Sequence, residues 1–226
     1  MVEDLIRNTE NPDPKKKRMT PEEKYKMLSR FEKEAFANGY KICAGMDEAG
    51  RGPLAGPVMA AACILDWQAP PILGLDDSKK ISEMKRDVLF EQIIASALAY
   101  SIVRVEADVI DEINILEATK QAMRKCVESL SVKPDLVLID GLNPGGILPE
   151  VKAIIKGDSL SNSIAAASIL AKVTRDRIMK EYDALYPGYH FAQHKGYGTK
   201  AHYEAIDQLS FCPIHRKSFL KNRYTV

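Results

Sequence analysis

Residues 136–139 read Leu-Val-Leu-Ile, set between Asp135 and Asp140 and followed at once by Gly141. A run this short is a strand rather than a helix, and its four large apolar side chains point alternately to both faces. A strand of that kind is buried on both sides, so it belongs inside a sheet that is covered above and below. The rest of the chain has to supply those covers.

It does so in an order that predicts an α/β layer fold with a mixed sheet. Residues 41–46 and Val58–Leu65 read as two strands joined by a glycine-rich bend, residues 100–106 as a third and residues 151–156 as another. Helices are predicted over residues 82–99, 107–130, 161–185 and 199–209, with a polar loop at 76–80. The third of these helices carries Ala165, Ala166, Ala167, Ser168 and Ala171, small enough for close approach to a sheet, and Pro187-Gly188 ends it. Near the start, Thr20 reads as an N-cap, Pro21 as the first helical residue and Glu22 and Glu23 as first-turn acids. That helix is expected to run through Met27, Leu28 and Phe31 to a stop at Asn38-Gly39.

The 226 residues suit one compact domain, taken as residues 40–226, preceded by a tail and helix over residues 1–39. With 46% hydrophobic residues the chain has enough apolar material to order itself. A net charge of +1 means that any nucleic-acid site must be a local patch. The basic run at 14–18 suits such a partner but reads more simply as a solvated tail. Cys43, Cys63, Cys126 and Cys212 form no CxxC pair, and the four histidines lack zinc-site spacing, so free thiols in a reducing cytoplasm are expected. No segment reads as a signal peptide or a bilayer span, so no membrane partner is expected.

Acids fall where strands end. Asp47 and Glu48 close the first strand, Asp140 closes the apolar one, and Asp158 follows residues 151–156. Four carboxylates brought together in one sheet repel and raise each other's pKa unless hard divalent cations sit among them. Two such ions about 4 Å apart suit phosphodiester hydrolysis. Each acid also has a plainer reading: Asp47, Glu48 and Asp140 precede glycine turns, and Asp158 suits a helix N-terminus. Asp176, between Arg175 and Arg177, reads as an ion-paired helix residue.

The stretch Asp47-Glu48-Ala49-Gly50-Arg51-Gly52-Pro53-Leu54-Ala55-Gly56-Pro57-Val58 closely resembles the signature of ribonuclease HII, the bacterial type 2 ribonuclease H. Further matches follow in order: Asp77-Ser78-Lys79, Leu138-Ile139-Asp140-Gly141, Lys156-Gly157-Asp158, Ala167-Ser168-Ile169-Leu170-Ala171-Lys172, His194-Lys195-Gly196-Tyr197 and Ile214-His215-Arg216-Lys217-Ser218-Phe219.

The resemblance implies an RNase H-like fold: a mixed five-stranded sheet flanked by helices, with a small helical C-terminal module that starts near residue 187. It implies Asp47, Glu48, Asp140 and Asp158 as catalytic carboxylates that hold two Mg²⁺ or Mn²⁺ ions. The implied substrates are RNA–DNA hybrids and single ribonucleotides embedded in duplex DNA, the latter cut on their 5′ side to leave 3′-hydroxyl and 5′-phosphate ends. Gly50, Arg51 and Gly52 would sense the 2′-hydroxyl through main-chain groups, and Tyr197 would stack on the next sugar. Ser78, Lys79, Lys172 and Arg216 would meet phosphates, while Tyr189, Tyr203 and Phe219 would pack internally. A ribonuclease HIII-like hybrid nuclease and a non-catalytic hybrid binder are the alternatives. The Gly-Arg-Gly turn paired with Lys-Gly-Tyr speaks against the first, and the full set of acids against the second. No long tail follows Phe219, so no sliding-clamp peptide is expected, and a monomer is the default.

Overall fold

The computed structural model describes residues 19–147 and 149–225, and the basic run at 14–18 lies outside them. Its sheet has five strands, β1 (Cys43–Ala49), β2 (Val58–Leu65), β3 (Ala97–Val105), β4 (Leu136–Asp140) and β5 (Glu150–Ile154), in the order β3-β2-β1-β4-β5. The first three strands form an antiparallel meander, and β4 and β5 run parallel to β1. The apolar strand β4 therefore lies between two parallel neighbours, with residues 136–139 buried as their side chains require.

Helices α1 (Pro21–Leu28), α2 (Arg30–Ala37), α3 (Glu83–Ser96), α4 (Ala107–Ser129) and α5 (Asn162–Leu185) cover the sheet, and α6 (Phe191–His194), α7 (Lys200–Leu209) and α8 (Lys217–Leu220) follow. Strand alternation divides the core. Ala44, Met46, Ala60, Ala62, Val137 and Ile139 face α4 through Ala118, Ala122, Met123 and Cys126. On the other face Met59, Ala61 and Cys63 meet Leu89, Phe90 and Ile93 of α3 and Ala165, Ala166, Ile169 and Leu170 of α5. Each fully buried Leu, Ile or Met in these layers contributes about 2 kcal/mol through loss of water contact. No helix among the described residues is long and apolar enough to cross a membrane.

The expected elements form, with four differences that have local causes. The N-terminal helix breaks in two at Ser29, whose hydroxyl donates back to the Tyr25 carbonyl at 2.7 Å and competes with the helical ladder. The helix over 82–99 stops at Ser96, because Ala97 and Ala99 pair with Leu65 and Ile64 across β2. Helix α4 bends at Asn114 (φ 67°, ψ 163°), whose Oδ1 accepts the N–H groups of Leu116 and Glu117 and restarts the helix. Strand β5 ends at Ile154, so Asp158 sits in a single 3₁₀ turn, Gly157–Ser159, rather than at the strand's end.

Helix α5 crosses β1 at Gly45. A Cβ built there would overlap the main chain of Ser163 and Ile164, so only glycine lets the helix lie this close to the strand that carries Asp47. Gly45→Ala is therefore expected to destabilise the protein by about 3 kcal/mol through overpacking. Urea unfolding measures this, and a loss well under about 1 kcal/mol would show that the contact yields freely.

Candidate active site

The acids converge at the C-terminal ends of three adjacent parallel strands, where open sheets of this kind place their ligands. Oxygens of Asp47, Asp140 and Asp158 all lie within 4.8 Å of one another. Asp47 is buried on the α5 side of β1, and Asp140 closes β4. The Asp158 turn is tied to Asp140 by a hydrogen bond from Gly157 N–H to Asp140 Oδ1 at 2.7 Å. Glu48 stands beside this group. Its Oε1 faces Arg51 Nη1 at 3.5 Å, and its Oε2 is buried with no hydrogen-bond partner among the described residues.

The electrostatics are those of an acid site that needs a cation. Burial, then Glu48 and Asp140, hold the Asp47 carboxyl well above the usual range. Burial also raises Glu48, against the pull of Arg51, and burial with Asp77 and Asp140 raises Asp158. Lys79 shows the converse: burial disfavours its charge, but Asp47, Asp77 and Asp158 outweigh that and raise its pKa. An all-oxygen donor set with an orphaned buried oxygen beside it is chemistry that a hard divalent cation satisfies.

The loop between β1 and β2 forms the neighbouring wall, and two buried arginines hold it. Arg216, 0% exposed, donates from Nε to Gly56 O, from Nη1 to Arg51 O and Pro53 O, and from Nη2 to Gly50 O, at 2.6–3.0 Å. Arg175, 1% exposed, donates to the carbonyls of Pro57, Ala55 and Lys195 at 2.9–3.0 Å. Burial lowers Arg175 to about 10, and burial with the nearby Arg175 charge lowers Arg216 to about 9, so both stay charged at neutral pH. In a planar trans peptide the C=O and N–H point opposite ways. With the Gly50 and Arg51 carbonyls drawn to Arg216, the N–H groups of Arg51 and Gly52 are turned outward, away from the guanidinium. Gly50, at φ +91°, has no room for a Cβ because Arg175 lies against it.

A cleft of about 250 Å³ opens here, lined by Glu48, Gly50, Arg51, Gly52, Ser78, Lys79, Ser168, Lys172, Arg175 and Tyr197. Tyr197, 44% exposed, has its Cε1 3.8 Å from where a Gly52 Cβ would stand. Its main chain is fixed by histidines. The Tyr197 carbonyl accepts from His202 Nδ1 at 2.9 Å, and His202 Nε2 meets His215 Nε2 at 3.1 Å. Burial lowers both rings to about 4, so they are neutral at pH 7 and share that hydrogen bond.

Seven of the eight residues expected to touch substrate thus line one cleft. The eighth is corrected: Arg216 is not at a phosphate, because its donors are spent on main-chain carbonyls in the interior. Asp176 is ion-paired as expected, to Lys172 at 2.7 Å and Arg86 at 3.6 Å rather than to its neighbours in the chain. Tyr189, Tyr203 and Phe219 pack in the C-terminal cluster around Leu54, Met179 and Phe191. Arg175, Ser168 and His202 were not foreseen. Only the mutual spacing of Arg175 and Arg216 in the fold gives them meaning, and the sequence signal for Arg175, a charge within a helix otherwise rich in buried side chains, is weak.

Solved structures agree on the class. Ribonuclease H2 from Pyrococcus horikoshii OT3 superimposes with a TM-score of 0.67 at 27% identity, over 79% of this chain and 93% of that one. The chain is a nuclease of the RNase H fold, a metal-dependent hydrolase of phosphodiester bonds. A family model for ribonuclease HII matches residues 44–223. Ribonuclease HII of Ruminiclostridium cellulolyticum is 55% identical over 197 residues, 87% of this chain and 76% of that protein. Ribonuclease HII of Clostridioides difficile is 54% identical over 201 residues, 89% of this chain and 78% of that protein. The chain belongs to the ribonuclease HII family.

Two outcomes follow from the buried charges. Arg216→Lys supplies a point charge that cannot meet four carbonyls in a fork, so it is expected to destabilise the protein by about 2–3 kcal/mol. An unchanged urea midpoint would mean that the carbonyls find other donors. For Asp47, the raised folded pKa means that the folded metal-free protein keeps a proton which the unfolded chain releases, so this residue's contribution to stability falls as pH rises. In chelator, Asp47→Asn should therefore become increasingly stabilising, relative to the parent protein, as pH rises above the ordinary carboxylate range. A stabilisation independent of pH would contradict the stated environment of Asp47.

Proposed function

We propose that this chain hydrolyses the RNA strand of RNA–DNA hybrids and incises 5′ of single ribonucleotides embedded in duplex DNA, leaving 3′-hydroxyl and 5′-phosphate ends. The observation that carries the reading is the juxtaposition of the Tyr197 ring and the Gly50-Arg51-Gly52 turn on one cleft beside the acid cluster. A protein tells RNA from DNA at a given position by the 2′-hydroxyl, which is both donor and acceptor. The outward N–H groups of Arg51 and Gly52 are donors of fixed direction, suited to that oxygen at little entropic cost because buried arginines already hold the turn. Tyr197 offers an apolar ring to the adjacent sugar, so the pair reads a ribonucleotide followed by a deoxyribonucleotide. Ser78, Lys79 and Lys172 lie along the same cleft, where they position the phosphate backbone without reading sequence.

Asp47, Asp140 and Asp158, with Glu48 alongside, would hold two Mg²⁺ or Mn²⁺ ions, whose chemistry when bound is activation of water and stabilisation of the leaving oxygen. The carboxylates orient those ions by their anchorage to β1, β4 and the Gly157–Ser159 turn. Lys79, kept charged by the surrounding acids, balances the site's negative charge. The buried, free thiols of Cys43, Cys63 and Cys126 suit a reducing cytoplasm, where a monomer would patrol duplex DNA.

Incubation with Mg²⁺ and a duplex carrying one ribonucleotide tests the reading. Incision immediately 5′ of the ribonucleotide, lost in chelator and on all-DNA duplex, is the expected result. Cleavage confined to long hybrids would favour a hybrid nuclease without junction specificity. Asp47→Asn should abolish cleavage yet leave hybrid affinity largely intact, and loss of both together would place Asp47 at the substrate instead. Tyr197→Ala should lose more activity on a single embedded ribonucleotide than within a long hybrid. Equal losses on the two substrates would remove Tyr197 from junction reading.

A further inference from the structure

A carboxylate taken out of water needs several donors if it has no cation beside it. Glu32 on α2 is fully buried and has no ion-pair partner among the described residues. Its Oε1 accepts from the Ser161 hydroxyl at 2.6 Å and from the Ser163 N–H at 2.9 Å. Those are the N-cap and second residue of α5, a helix of 24 residues whose first N–H groups have no partners within the helix and whose positive dipole end faces the carboxylate. Between them, Asn162 donates from Nδ2 to Tyr25 O at 2.9 Å and to Ser29 Oγ at 3.0 Å. The helix pair α1 and α2, broken only at Ser29, thus grips Ser161, Asn162 and Ser163, where α5 begins.

That first turn touches every segment bearing an acid. Ser161 N–H donates to Gly157 O at 2.8 Å, next to Asp158. Gly157 N–H in turn donates to Asp140. The main chain of Ser163 lies against Gly45, two residues before Asp47, and Ile164 packs with Leu138 of β4 and Ile154 of β5. The hydrogen bonds of Glu32 go to Ser161 and Ser163 and to none of the three acids. We infer that Glu32 is a positioning residue for Asp47, Asp140 and Asp158, acting through the first turn of α5, which makes the N-terminal helix pair part of the active-site frame. The inference rests on the reading of these three acids as metal ligands.

Calorimetric titration of the metal-free full chain with Mn²⁺ tests it without relying on cleavage. Glu32→Ala should weaken Mn²⁺ binding about tenfold, the scale of a lost outer-shell contact. Glu32→Gln keeps an acceptor oxygen for Ser163 and should recover most of that affinity. Ile110→Val, buried against the opposite face of the sheet, serves as a control that lowers stability without touching α5. Loss in Glu32→Ala with recovery in Glu32→Gln and none in the control supports the inference. Unchanged Mn²⁺ affinity in Glu32→Ala, whatever its melting temperature, overturns it, as does an equal loss in Ile110→Val. Should Glu32→Ala fail to fold, Glu32→Asp takes its place: its shortened reach should weaken Mn²⁺ binding, and parental affinity would overturn the inference. A parent protein that binds no Mn²⁺ would instead refute the reading of the acids as metal ligands.

Discussion

Two guanidinium groups are buried in this protein with main-chain carbonyls, rather than carboxylates, around them. The arrangement is demanding, because a buried charge is tolerated only when nearly every donor is met. It also explains the shape of the loop between β1 and β2. A segment rich in glycine and proline has little regular hydrogen bonding of its own, and here its carbonyls become the ligands of Arg175 from α5 and Arg216 from the C-terminal segment. The loop, the long helix and the end of the chain therefore share one polar core. What remains on the loop's outer side is a set of donors whose direction is set from within.

The acids obey the opposite logic. They are collected at one sheet edge with too little positive charge to balance them, and burial drives Asp47, Glu48 and Asp158 towards their neutral forms. Such a site stores unfavourable energy in the metal-free state and releases it when a cation binds. The rigid cover on both sheet faces is what allows that strain to persist: β1 is pinned between α4 and α5, and β4 has no exposed side chain before Asp140.

Much of this was legible in the sequence because it depends on periodicity and on motifs. Residues 136–139 demanded a central strand, Thr20-Pro21 announced a helix start, and the acids after apolar runs marked a sheet edge. What escaped depends on distances between residues far apart in the chain. Arg216 reads as one basic residue among several near the C-terminus, and only its partners 160 or more residues away reveal a buried role. Arg175 hides next to Asp176, where an ordinary ion pair looked sufficient. The break at Ser29 turned on a single hydroxyl, and the early end of α3 on the reach of a neighbouring strand, choices that local propensity does not decide.

The long span between loop and staple has a consequence for the order in which the molecule is made. As the chain emerges during synthesis, β1 and its loop appear early, while Arg216 appears only after nearly the whole domain has been produced. The meander β1-β2-β3 can pair by then, and the strand bearing Asp140 can join it, but α5 fixes only the carbonyls of Ala55 and Pro57, and those of Gly50, Arg51, Pro53 and Gly56 have no fixed direction until the last segment folds back. The outer face of the Gly50-Arg51-Gly52 turn is thus finished last, so a partly synthesised chain has its acids before it has the wall of the cleft beside them.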